Sequence, residues 1–302
     1  MTESERSMIY SLAHDDILRA KLYARSIVEN IKSEKDKAYK NSMMRLLDPR
    51  RTDLPPAVSN LLVLESSENY KSERFLLRDG DEKIVQKVKD LYKASETLHN
   101  MGINYNASLL LYGDSGCGKT ELAKYIAWTL DMPFIYVNFS MLLDSYLGKT
   151  QQNLGNIFNY LRSGVQCVVC FDEIDAIGLK RGSETDVGEM SRVTIALMQE
   201  LDRCPSNIVL IGTTNRFDRL DMALIRRFQI THNVKPISYE EAERLTIQYL
   251  SKTIGGDAKN MSEVCRRWFG GQKDIKTSAV IQKCNDVIVQ HVLTEQAEKN
   301  KE

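Results

Sequence analysis

Apolar residues recur at two different spacings along this chain, and the spacing changes near residue 105 and again near residue 236. In residues 6–46, Ile9, Leu12, Ala13, Ile17, Ala20, Ala24, Ile27 and Ile31 step by three or four, which gathers them on one face of a helix. No Gly or Pro interrupts the run before Pro49, so the pattern predicts unbroken helix. The segment Asp48-Pro-Arg-Arg-Thr-Asp-Leu-Pro-Pro56 ends it, because Pro55 and Pro56 lack amide donors and bias their predecessors away from helical angles. Residues 1–55 are therefore expected to form a helical arm and linker. From residue 82, Ile84, Val85, Val88, Leu91 and Leu98 predict a further helix ending near Gly102.

Beyond that point the period becomes short apolar runs: Leu109–Tyr112, Phe134–Val137, Cys167–Phe171, Ile208–Ile211 and Ile230–Val234. Each has the length and composition of a buried strand, and helical stretches such as Lys119–Leu130 separate them. Apolar strands alternating with helices predict a parallel sheet covered on both faces. After Pro236 the strands stop, and Glu240–Lys252, Asn260–Phe269 and Gln272–Gln296 are expected to be helices. The expected architecture is thus α/β: a five-stranded parallel sheet in residues 56–236 and a small helical lid in residues 237–302.

The first strand runs into Gly113-Asp114-Ser115-Gly116-Cys117-Gly118-Lys119-Thr120, a phosphate-binding loop of the form G-x-x-x-x-G-K-T between a strand and a helix. Its glycines let backbone amides turn inward as a nest for phosphate oxygens at a helix N-terminus. Lys119 is placed to neutralise the β- and γ-phosphates and the Thr120 hydroxyl to hold Mg²⁺. The third strand ends in Phe171-Asp172-Glu173-Ile174-Asp175, which puts carboxylates at the carboxyl edge of the sheet, where ligands bind in open α/β folds. Asp172 suits the Mg²⁺ water shell, and Glu173 suits orienting and deprotonating an attacking water. The two motifs together predict a nucleoside triphosphate hydrolase. The fourth strand leads to Gly212-Thr-Thr-Asn215, which sets a polar amide between the γ-phosphate and Glu173.

With Leu220-Asp-Met-Ala-Leu-Ile-Arg226-Arg227-Phe228, the chain resembles the AAA+ ATPases, and within them the AAA clade. The resemblance runs from Leu109 to Val234 and continues more weakly to residue 290. It implies that Asn215 is a γ-phosphate sensor, and that Arg226 and Arg227 are arginine fingers reaching the nucleotide of a neighbouring subunit. Guanidinium suits that role because it is always charged and offers phosphate a planar fork of donors. It also implies that Tyr146, Leu147 and Gly148, in Ser145-Tyr-Leu-Gly-Lys149, form a pore loop that grips substrate polypeptide, with Ser183–Gly188 in the position of a second one. Lys149 stands where that family more often has an acid. The implied function is hydrolysis of Mg-ATP to ADP and phosphate, coupled to remodelling, unfolding or disassembly of a protein by a ring, a homo-hexamer. The adenine-contacting segment is not legible in Phe75–Asp81, and no arginine marks a second sensor, although Gly271 and Lys273 are candidates to lie near the nucleotide.

Composition changes this picture in two places. Lys+Arg and Asp+Glu balance at 41 each, so the chain lacks the electrostatic footprint of a nucleic-acid binder. This argues against one rival, an AAA+ nucleic-acid motor or loader. The other rival is a slow ATP-dependent switch that holds a partner protein through residues 6–46. The six cysteines do not form a disulfide frame and suggest reduced thiols in a cytoplasmic protein. Cys167 and Cys170 are three apart on a strand, hence on opposite faces, and are expected to be buried rather than metal-bound. Cys117 is expected to be alkylation-sensitive, because a helix N-terminus lowers thiol pKa. The opening residues show no basic stretch followed by an apolar run, and no segment approaches the roughly 18 apolar residues of a membrane span.

Overall fold

A computed structural model describes residues 1–14, 17–31, 36–48, 54–103, 105–138, 142, 149–176, 187–255 and 257–299. Among these, the helices are α1 (Glu3–Ala13), α2 (Ile17–Glu29), α3 (Lys37–Leu46), α4 (Asp79–Asn100), α5 (Lys119–Thr129), α6 (Lys149–Arg162), α7 (Val187–Asp202), the single turn α8 (Met222–Ile225), α9 (Tyr239–Thr253), α10 (Ala258–Phe269) and α11 (Thr277–Lys299). The strands are β1 (Leu62–Glu65), β2 (Ser108–Tyr112), β3 (Phe134–Asn138), β4 (Cys167–Asp172), β5 (Ile208–Thr214) and β6 (Ile230–Asn233). No helix among the described residues is long and apolar enough to cross a membrane.

The sheet order is β1-β3-β4-β5-β2-β6. Strands β2 to β6 pair in parallel, as their apolar runs predict. The five-strand expectation falls one short. Strand β1 adds an antiparallel edge against β3, with Leu62 opposite Val137 and Glu65 opposite Phe134. Four residues, mostly half-exposed, give too little alternation to reveal it.

Both faces of the sheet are buried because successive side chains point to opposite sides. Leu110, Val169, Phe171 and Leu210 pack with α6 and α7 through Leu154, Phe158, Val193 and Leu197. Leu109, Leu111, Val168 and Ile211 pack with α4 and α5 through Val85, Val88, Leu122 and Ile126. Cys167 falls in the first cluster and Cys170 in the second, so the pair is split by the sheet and buried, as expected.

The arm departs from expectation. The periodic run of residues 6–46 is three helices rather than one, with α1 folded against α2. The C-cap of α1 is His14, at the start of a polar His-Asp-Asp stretch whose residues are weak helix formers, which hydrophobic periodicity does not register. The arm is tied to the α/β unit by Arg19, which donates to Glu96 Oε1 at 2.6 Å, and by Lys21, which donates to the Ser163 carbonyl.

The last three helices form their own core around Leu245, Leu250, Cys265, Phe269, Val280 and Cys284. Residues 272–276, expected to be helical, are not. Ile275 and Ile237 exchange both backbone hydrogen bonds, at 2.8 and 2.9 Å, which ties the lid back to its entry point and delays α11 until Thr277.

Candidate nucleotide site

Strand order brings the candidate chemistry together. Strand β5 lies between β4 and β2, so the turn after β2, the acids after β4 and the polar residues ending β5 share one edge of the sheet. Two glycines of the turn are required by contact as well as by backbone angle. Gly113 has φ +141, and a β-carbon there would lie 2.3 Å from the Val234 carbonyl oxygen. Gly116 has φ +83, and a β-carbon would meet Ser278 Oγ of α11 at 2.4 Å.

Lys119 starts α5 and is 7% exposed. Its ammonium donates to the Gly113 and Asp114 carbonyls at 2.8 and 2.9 Å, and to Asn215 Oδ1 at 2.7 Å. Burial lowers its pKa, since desolvation disfavours the charged form. The three acceptors hold the charge at the mouth of the loop and bring Lys119 to the Asn215 that ends β5.

Asp172 is the best-tethered acid of the cavity. Tyr136 donates to its Oδ2 at 2.8 Å, Thr213 donates to its Oδ1, and Thr120 Oγ1 lies 3.5 Å from the same oxygen. Burial, followed by the hydrogen bond to Asp172, pushes the Tyr136 phenol well above its usual range, so it stays a donor. Glu173 turns out of the strand with φ +53, in the left-handed region, and its amide donates to Thr213 Oγ1 at 3.3 Å. That turn separates the two neighbouring carboxylates in direction, leaving Glu173 exposed on the cavity while Asp172 is held against the sheet. Asp175 accepts from Thr214 Oγ1 at 2.7 Å.

Lys119, Thr120, Asp172, Glu173 and Asn215 line one cavity of about 450 Å³. The lid closes it: the Ser278 amide donates to the Gly116 carbonyl at 2.9 Å, and Thr277 Oγ1 donates to the Cys117 carbonyl at 3.2 Å. Thr277 and Ser278 also line the cavity, whereas Gly271 and Lys273 do not. Thr213, Tyr136, Thr277 and Ser278 escaped the sequence reading. Only sheet register, which pairs Phe171 with Gly212 and Asn138 with Asp172, brings the first two to the acid.

The expectation for Cys117 is corrected. Its side chain is 2% exposed, and burial raises the thiol pKa, outweighing the lowering by Lys119. It is a packed thiol, and the helix N-terminus does not lower its pKa below the ordinary value.

Arg226 and Arg227 follow α8 and do not line the cavity of their own chain. They are also unlike each other. Arg226 is exposed, whereas Arg227 donates to the Ala223 carbonyl at 2.6 Å and to Asp202 Oδ2 at 3.1 Å. Tyr146, Leu147 and Gly148 lie outside the described residues, as do residues 183–186 of the second candidate loop.

Comparison with known proteins gives a consistent result. Residues 109–236 match the family described as "ATPase family associated with various cellular activities (AAA)". The chain is 33% identical over 207 residues to the peroxisomal ATPase pex6 of Schizosaccharomyces pombe, an alignment covering 63% of the chain and 22% of that protein. It is 30% identical over 250 residues to a 26S proteasome regulatory subunit 8 homolog of the same organism, covering 78% and 61% respectively. With the 26S proteasome subunit RPT4 of Saccharomyces cerevisiae the identity is 32% over 217 residues, covering 68% and 47%. The chain therefore spans less than two thirds of the length of each of these relatives.

Proposed function

We propose a function from one premise: residues 109–236 of this chain belong to the AAA ATPase family. On that basis the chain binds Mg-ATP, hydrolyses it to ADP and phosphate, and uses the cycle to remodel, unfold or disassemble a protein within a ring, most simply a homo-hexamer. The observation that carries this reading is the convergence of Lys119, Asp172, Glu173 and Asn215 on one lid-covered cavity.

In this reading residues 113–118 cradle the phosphates, and Lys119 exchanges its carbonyl and Asn215 partners for phosphate oxygens. Thr120 and Asp172 would hold Mg²⁺: two hard oxygen donors, one a single carboxylate, fit a cation that takes its other ligands from phosphate and water. When bound, Mg²⁺ neutralises charge between the β- and γ-phosphates. Tyr136 and Thr213 hold the Asp172 carboxylate in place, so that it would be ready to take the cation. Glu173 takes the proton of the attacking water, and Asn215 orients the γ-phosphate. Arg226 and Arg227 are assigned to a neighbour's nucleotide, and Tyr146, Leu147 and Gly148 to gripping substrate. The unit boundaries we propose are residues 1–55 for the arm, 56–236 for the α/β domain and 237–302 for the lid. Reduced thiols fit a cytoplasmic setting, and the balanced charge favours a protein substrate over nucleic acid.

The test is Glu173→Gln. An amide cannot accept the water's proton, so ATP should bind as in the wild type while turnover stops. The trapped protein, held in ATP, should retain its substrate in a pull-down. Near-normal hydrolysis by Glu173→Gln removes Glu173 from its role as base.

A further inference from the structure

Another cavity, of about 750 Å³, lies at the opposite edge of the sheet. Gln166 and Asn207, which line it, directly precede β4 and β5, whose other ends run to Asp172 and Asn215. The rest of its lining comes from α4, the ends of α6 and α7, and the arm, so it lies in the joint between the arm and the α/β unit. None of the helices α1–α3 contributes to the three apolar cores. The contacts across the joint are those of Arg19 with Glu96 and of Lys21 with the Ser163 carbonyl. The joint is therefore polar and hollow, and its volume is that of a small-ligand cavity.

The charges around this cavity do not cancel. Arg19 donates to Glu96 at 2.6 Å, and Arg162 donates to Glu200 at 2.6 Å, so each guanidinium has its own carboxylate. Among the described lining residues Glu96 is the one acid, and Arg19 engages it. Lys93 and His99, both exposed on α4, have no hydrogen-bond or ion-pair partner among the described residues. From the arm, His14 stacks on Tyr10 with ring centroids 4.1 Å apart and spends Nδ1 on the Tyr10 carbonyl at 2.9 Å, which leaves Nε2 unengaged. The carboxyl end of a helix attracts cations, which accounts for His99 and Arg162, each in the last turn of its helix. It does not account for Lys93, about two turns before the end of α4, or for Arg19, in the first turn of α2, where the dipole disfavours a cation. No group of three His, Cys, Asp or Glu among the described residues could hold a metal ion, so the two imidazoles do not mark a cation site.

We propose that this cavity binds a small multivalent anion, a phosphate ester or a polycarboxylate, held by Lys93 and His99 from α4 and by His14 from the arm, and that the bound anion fastens the arm to the α/β unit. An ammonium has only donors to give, and an imidazolium donates through both nitrogens, so the unspent groups on the two walls share one kind of partner. Hydrogen bonds between charged groups are about twice as strong as neutral ones, so an anion that reaches both walls adds strong contacts to a joint that now has few. Asn100, Gln166 and Ser206 add neutral hydrogen-bonding groups around it. None of these residues lines the nucleotide cavity, so the inference stands apart from the nucleotide reading.

The experiment titrates inorganic tripolyphosphate and, separately, citrate into the full chain, with the ATP analogue AMPPNP in excess to occupy the phosphate loop and free Mg²⁺ held constant. Calorimetry reads binding, and hydrogen exchange reads the arm. At least one anion should bind wild type and slow exchange in residues 3–13 and 17–29. Tighter tripolyphosphate assigns the phosphate class, and tighter citrate the carboxylate class. Lys93→Ala and His14→Ala change exposed side chains on the two walls, and each should weaken binding about tenfold. Lys87→Ala removes an exposed charge of α4 that does not line the cavity, and should stay within about twofold of wild type. Failure of wild type to bind either anion overturns the proposal. Equal weakening by Lys87→Ala and Lys93→Ala also overturns it, because it reduces the effect to attraction by net charge. Binding that leaves exchange in the arm unchanged overturns it as well, by placing the anion elsewhere.

Discussion

Asp81 shows how a single buried charge joins the first core helix to the entrance of the lid. It is 2% exposed and lies in the first turn of α4. Arg78 donates to it through Nε at 2.6 Å and Nη2 at 3.3 Å, His232 Nε2 of β6 lies 2.8 Å away, and Arg78 also donates to the Lys235 carbonyl at 2.9 Å. Burial alone would raise its pKa, but the hydrogen bonds from His232 and Arg78 and the Arg78 charge outweigh it and hold the carboxyl below its ordinary value. A folded pKa below the unfolded one stabilises the protein above the unfolded value, about 4, and that contribution is lost as pH falls through the folded value. Asp81→Asn should therefore cost on the order of 3 kcal/mol at pH 7, because it strands Arg78. Urea denaturation should show the gap between variant and wild type narrowing below about pH 4. A gap independent of pH would remove the charge from the account. Nothing in the sequence marks this cluster: Asp81 and His232 are 151 residues apart, and it takes the β2–β6 pairing together with the packing of α4 on the sheet to bring them together. The loop residues 113–120 and the acids 172 and 173 were legible because each motif sits in one unbroken segment.

Between elements, the joint that governs the lid is small. Gln248 of α9 donates through one Nε2 to the carbonyls of Phe75 at 3.0 Å and Glu73 at 3.1 Å, with that of Ser72 at 3.5 Å. These carbonyls flank Arg74, so the lid holds the turn that presents the guanidinium to the cavity. Gln248→Ala should leave the carbonyls to water, cost about 1–2 kcal/mol, and raise hydrogen exchange in residues 70–78 and 239–253. Gln248→Glu should do no better, since a carboxylate is acceptor-only and faces acceptors. Exchange unchanged in both variants would show that core packing alone seats the lid. Legibility at this scale followed burial. Strands β2, β4 and β5, covered on both faces, read as continuous apolar runs, whereas β1 lies at a half-exposed edge and α11 starts where a backbone pairing, not a side-chain pattern, decides.

At the scale of the whole molecule, the open question is whether one chain suffices for turnover. Its own cavity contains the loop, the acids and Asn215 but neither Arg226 nor Arg227. The proposed ring supplies that charge from a neighbour, and the two arginines divide the work unequally. Arg226 is exposed at the end of α8 and available to reach outward, whereas Arg227 binds Asp202 and the Ala223 carbonyl and holds α8 against α7. An arginine finger is worth about 10³–10⁵ in rate in related nucleotide hydrolases. Turnover per subunit should therefore rise with protein concentration, and Arg226→Ala should bind ATP and melt like the wild type yet be nearly inactive. Mixed into wild type, it should suppress activity beyond its share, because each variant subunit disables a neighbour. Arg227→Ala should in addition lower the melting temperature, since it removes the hydrogen bonds to Asp202 and to the Ala223 carbonyl that hold the α8 turn; Arg227→Lys, which keeps charge but not the fork, should recover part of it. Turnover independent of concentration in a demonstrated monomer would refute the assignment in trans. Equal melting of the two alanine variants would refute the division of labour and return Arg227 to the same role as Arg226.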